Sequence, residues 1–144
     1  MKKRHVESEL WLHVMDASSL INIERTEGIR ALNKRKGAML VPELVAYEVA
    51  GDPRVSPSDP LRKWINENSQ VVVDLVANEE RFFYEIRKQQ GIHDGEAAAM
   101  AVCLGRKLPL VIDESQVRAT GKAKNHGIRT MSSKDFLKGK EPSS

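Results

Sequence analysis

Apolar positions along the chain fall into two rhythms, short continuous runs and stretches recurring every three to four residues, and the two alternate throughout. LWLHVM, ending at Asp16, reads as a first strand. ASSLINIER follows with Leu20, Ile21 and Ile23 at helical spacing, and Asp16, Ser18 or Ser19 can cap its exposed N–H groups. A second helix is predicted over 27–36, with Ile29 and Leu32 inward and Gly37 as its stop. AMLV is the second strand. Pro42 suits the first turn of the next helix, ELVAYEVAG, whose stripe is Leu44, Val45 and Val49 and whose end is Gly51. GDPRVSPSDP holds three prolines and reads as a loop, after which Asp59 caps and Pro60 opens a helix packing through Leu61, Trp64 and Ile65.

VVVDLV is a third strand interrupted by Asp74, and Asn78 is placed to cap EERFFYEIRKQQG, with Phe82, Phe83 and Ile86 facing inward. The stretch HDGEAAAMAVCLGRKLPLVIDE then predicts a helix over 95–106 and a buried strand over 108–112. Small residues at 97, 98, 99 and 101 let that helix lie close against a sheet. SQVRATGKAKNHG reads as a basic helix interrupted by Gly121, IRTM as a fifth strand, and Ser132 or Ser133 as the cap of a last turn holding Phe136 and Leu137. Such alternation predicts an α/β domain: one parallel sheet of about five strands with helices on both faces. The domain is expected over 10–137, after an extension at 1–9 and before a disordered tail at 138–144.

Composition narrows this little. At 144 residues the chain suits one domain, and 40% hydrophobic with 30% charged residues is ordinary for a globular protein. The apolar run at 97–104 is too short to span a membrane, and MKKRHVESELW lacks the apolar core of a secretory signal, so a cytoplasmic protein is expected. Cys103, the single cysteine, reads as packing. A net charge of +3 permits a polyanionic partner without demanding one.

The chemistry lies in the acids. Asp16, Glu48, Asp94 and Asp113 come from separate segments, and each can reach the carboxyl edge of the sheet, where open α/β folds bind ligands. Taken singly, each is an ordinary helix cap, surface glutamate or strand-end residue. Together in one pocket they would repel one another, and Mg²⁺ or Mn²⁺ would relieve the repulsion and promote phosphodiester hydrolysis. Competing patterns are missing: no phosphate loop, dinucleotide fingerprint or nucleophile elbow occurs, and the histidines at 5, 13, 93 and 126 lack metal-ligand spacing. Arg118, Lys122 and His126 fall four residues apart with Lys124 nearby, a candidate RNA-backbone face if the helix runs through Gly121.

LHVMDASSLI, VPELVAYEVAG and HDGEAAAMAVCLGRKLPLVIDE, in that order, resemble the motifs of the PIN-domain nucleases, in particular the small VapC-like toxins of toxin–antitoxin pairs. The resemblance spans about 10–137. It implies Asp16 as a metal ligand supported by the Ser18 hydroxyl, Glu48 in the glutamate position, Asp94 as a third ligand and a strand-end acid as the last. The GEA motif lets Glu96 assist or replace Asp94. An ungapped match from Pro109 points to Glu114, strand geometry to Asp113. The implied activity is endoribonucleolytic cleavage of RNA by metal-activated water, in a homodimer inhibited by a cognate antitoxin protein. Alternatives are a noncatalytic RNA-binding module of the same fold, or a nuclease acting on DNA or flaps.

Overall fold

Strands and helices alternate as β1 (His13–Met15), α1 (Ala17–Thr26), α2 (Ile29–Arg35), β2 (Met39–Pro42), α3 (Glu43–Ala50), α4 (Asp59–Glu67), β3 (Val72–Val73), α5 (Ala77–Arg87), α6 (Asp94–Arg106), β4 (Leu110–Val111), α7 (Val117–Asn125), β5 (Thr130–Met131) and α8 (Ser133–Leu137). This is a computed structural model, and it describes residues 12–50, 59–113 and 115–140. The proposed N-terminal extension, most of the proline-rich loop, Glu114 and residues 141–144 of the predicted tail lie outside the described residues.

The strands form one sheet in the order β3-β2-β1-β4-β5, and every neighbouring pair is parallel. Parallel strands are covered on both faces, and Val14, Met15, Val41, Leu110 and Val111 are accordingly buried. From β1 the chain winds outward through β2 to β3, then returns to place β4 on the other side of β1. Its direction reverses between β1 and β4, which opens a crevice at their carboxyl ends. Helices α1, α2 and α4 pack on one another, and α5 packs on α6. Helix α3 touches both α1 and α6, so it stands at the edge where the layers meet.

Helix α6 is the centre of its layer. Every residue from Gly95 to Cys103 is buried, and the alanines let it contact β1, β2 and β4 together. At its far end the Glu79 carboxylate, 1% exposed, accepts from Arg106 Nε at 2.8 Å and clamps α5 to α6. The lack of a Cβ on Gly105 makes room for the Glu79 side chain.

Several local expectations change. Pro42 ends β2 and does not open α3, because a residue without N–H fits a strand's last position as well as a helix's first. Asn78 lies inside α5. The cap is supplied by Glu79, whose Oε1 accepts the Val76 N–H at 3.0 Å. VVVDLV contributes only Val72–Val73 to the sheet, as a partly exposed edge strand after a 3-10 turn at Ser69–Val71. Helix α7 runs through Gly121 without a break. Buried Ala119 and Ala123 hold its inner face, and a single helical glycine costs only about 1 kcal/mol. No helix among the described residues is long and apolar enough to cross a membrane.

Candidate active site

Asp16 stands at the carboxyl end of β1, in the crevice where the strand order reverses. Its N–H donates to Val111 O of β4 (3.1 Å), and its side chain caps α1. Oδ2 accepts from both Ser18 Oγ (2.6 Å) and Ser18 N (3.2 Å), so the serine two residues on fixes the carboxylate. Only 4% of Asp16 is exposed.

Glu48 reaches this place from the second turn of α3. Its carboxylate lies directly over Gly95, where a Cβ would collide with it. Glycine at this position is therefore what admits Glu48 to the first turn of α6. Glu96, buried beside it, accepts the His93 N–H through Oε1 (3.3 Å), closing the first turn of α6. The His93 ring lies between the two glutamates, Nδ1 3.3 Å from Glu48 Oε1 and Nε2 3.5 Å from Glu96 Oε2.

The electrostatics follow from this crowding. Burial pushes the Asp16 carboxyl above its ordinary range against the pull of the two Ser18 bonds, and Glu48 pushes the same way. Burial likewise raises Glu96, opposed by His93. His93 is raised from 6.5 to about 9, first by its bond to Glu48, against a burial penalty, and then by the charges of Glu48, Glu96 and Asp16. This pocket holds more negative charge than it can comfortably solvate.

The other sequence candidates lie elsewhere around the edge. Asp94 turns outward and accepts from Arg87 Nε at 2.8 Å, both side chains about half exposed. Asp113, at the end of β4, is held by Ser133, whose N–H and Oγ donate to Oδ1 (2.8 and 2.7 Å), and by Asn22 Nδ2 on Oδ2 (3.2 Å). Glu114 is outside the described residues. Arg118 lies over Gly91, and Lys124 lines a cleft of about 500 Å³ beside β5 with Arg129 and Asp135, while Lys122 is half-buried on α7. Three features of the site have no place among the sequence candidates: Gly95 as the seat of Glu48, the bridging of two glutamates by His93, and the hold of Asn22 and Ser133 on Asp113. Gly95 carried a signal as the first residue of the GEA motif, and His93 as the neighbour of Asp94 at the helix entry.

Among the described residues no three potential ligands are grouped as a metal cage, and His93 stands between Glu48 and Glu96. The donor chemistry nevertheless fits a hard divalent cation. Asp16, Glu48 and Glu96 offer carboxylate oxygens, two of these residues are buried, and the His93 ring is the cation that the structure sets between the two glutamates.

No curated protein matches this chain. Residues 12–133 match the family DUF3368, described as a PIN domain. With the parallel sheet and the acids at its carboxyl edge, this match establishes that the chain belongs to the PIN domain family, a family of nucleases.

Proposed function

We propose that this protein is a metal-dependent endoribonuclease that hydrolyses RNA phosphodiester bonds, with Asp16, Glu48 and Glu96 holding Mg²⁺ or Mn²⁺. The observation that carries the proposal is the convergence of these three acids, from β1, α3 and α6, on the crevice where the strand order reverses. When bound, the ion supplies an activated water and stabilises charge on the leaving oxygen. Ser18 holds the Asp16 carboxylate in one orientation, and Gly95 sets the depth of Glu48. His93, 58% exposed beside them, is placed to meet the scissile phosphate. Of the two acids at the start of α6, Glu96 takes the ligand position, because Asp94 faces Arg87. Asp113 sits across the crevice and ties the strand end to α1 and α8, with Asn22 and Ser133 orienting its carboxylate.

RNA as the substrate, a toxin role with a cognate antitoxin, a homodimer and a cytoplasmic location rest on the resemblance to small VapC-like toxins. The mild net charge of +3 is compatible with a polyanionic substrate. The test is cleavage of matched RNA and DNA by the purified protein with Mg²⁺ or Mn²⁺, beside a chelator control and Asp16→Asn. Cleavage of RNA that stops with either control supports the proposal. Binding of RNA without metal-dependent cleavage sinks it, and preferential cleavage of DNA reassigns the substrate.

A further inference from the structure

We propose that Arg118 and His126 are positioning residues, bracing the connection between α5 and α6 and thereby setting where α6 begins, with His93 and Glu96 at its start. This rests on the ribonuclease reading of the site. Two contacts from the same face of α7 carry it. The Arg118 side chain lies on Gly91, its Cδ and Nη1 in the space a Cβ would take. Gly91 also has φ +83°, a conformation that side-chain-bearing residues rarely adopt. Eight residues along, at the C-terminal end of α7, His126 Nε2 accepts from Gln89 Nε2 at 2.9 Å. The unbroken path through Gly121 keeps both residues in helical phase.

The braced segment is short. From Gly91 the chain passes through Ile92, which is buried, to His93, whose N–H is held by Glu96 and whose ring meets Glu48. A shift of the connection is therefore passed within two residues to the carboxylate pocket. Helix α7 itself begins four residues after Asp113, so it links the ends of the two elements that bring acids to the crevice. This role differs from a phosphate contact, for which any cation would serve.

That difference supplies the experiment, which compares Arg118→Lys, Arg118→Met, Gly91→Ala and Gln89→Leu with the wild-type protein. Arg118→Lys keeps the charge but loses the planar group over Gly91. Gly91→Ala displaces that group without touching a charge, and Gln89→Leu removes the partner of His126 from a partly exposed site. Far-UV circular dichroism establishes folding, and Gln89→Leu serves if Gly91→Ala fails to fold. The proposal expects backbone amides over 88–96 to exchange about tenfold faster in each folded variant. It also expects kcat for RNA cleavage to fall about tenfold with RNA affinity and its salt dependence unchanged. Wild-type exchange and kcat in Arg118→Lys, with weaker RNA binding and a reduced salt slope in Arg118→Met, would overturn it. Hydrogen exchange needs no cleavage, so an inactive wild-type protein counts against the ribonuclease reading while the exchange data still decide the bracing role.

Discussion

Asp16 carries a charge that its surroundings resist. It is buried, Glu48 repels it, and the two Ser18 bonds only partly compensate. A carboxylate in such surroundings contributes little to stability by itself, and the proposed metal site gives its charge a use. Asp16→Asn keeps an acceptor for Ser18 and removes the charge. It should abolish cleavage while raising the stability of the metal-free protein by about 1 kcal/mol, read from urea denaturation. A less stable variant would contradict this. Asp16, Glu96 and His93 all shift upward. His93 is raised above its ordinary 6.5 to about 9, so its stabilisation is complete below pH 6.5 and is lost as pH rises through about 9. Asp16 and Glu96 are raised too, so their ionisation subtracts stability as pH rises through the carboxylate range. Urea midpoints of the metal-free protein should fall between pH 6.5 and about 9, and His93→Gln should lack that descent; an identical slope would contradict it. Asp16 with Ser18 was legible in the sequence because a strand-end acid followed by a serine two positions on has few geometries open to it. Which of Asp94 and Glu96 turns toward His93 was not legible. Residues two apart on a helix point about 200° away from each other, so only one faces the site, and the register comes from packing.

Helix α6 shows what an element adds. Its alanines announce close packing, and it is buried as they imply. Gly95 is the less obvious requirement. In an ordinary helix Gly→Ala stabilises by about 1 kcal/mol, but here the added methyl meets the Glu48 carboxylate. Gly95→Ala should remain folded by circular dichroism while cleavage falls by about a hundredfold, the scale expected when a ligand's setting is disturbed. Wild-type activity would show that Glu48 does not depend on this seat. At the other end of α6, Arg106→Ala would leave Glu79 buried without its cation. A loss of about 3 kcal/mol is expected in denaturant unfolding, and a loss near zero would mean that Glu79 finds another partner. The cap of α5 escaped the sequence because Val76 is no capping residue. The bond comes from Glu79, which Arg106 orients from a helix distant in sequence.

At the scale of the whole molecule, alternating strands and helices made a parallel sheet legible, since crossovers of that length leave few other arrangements. The order β3-β2-β1-β4-β5 was not, because no local pattern states which strands become neighbours. That order nonetheless makes the site. It puts β1 in the sheet's middle, opens the crevice beside Asp16 and lets α3 and α6 bring Glu48 and Glu96 to it. The most direct test is calorimetric titration of Mn²⁺ into the wild-type protein, Glu96→Gln and Asp94→Asn, with RNA cleavage measured on the same preparations. The account predicts that Glu96→Gln loses Mn²⁺ binding and cleavage together while Asp94→Asn keeps both within about threefold, because its partner is the exposed Arg87. Full binding and cleavage by Glu96→Gln, with their loss in Asp94→Asn, would contradict it.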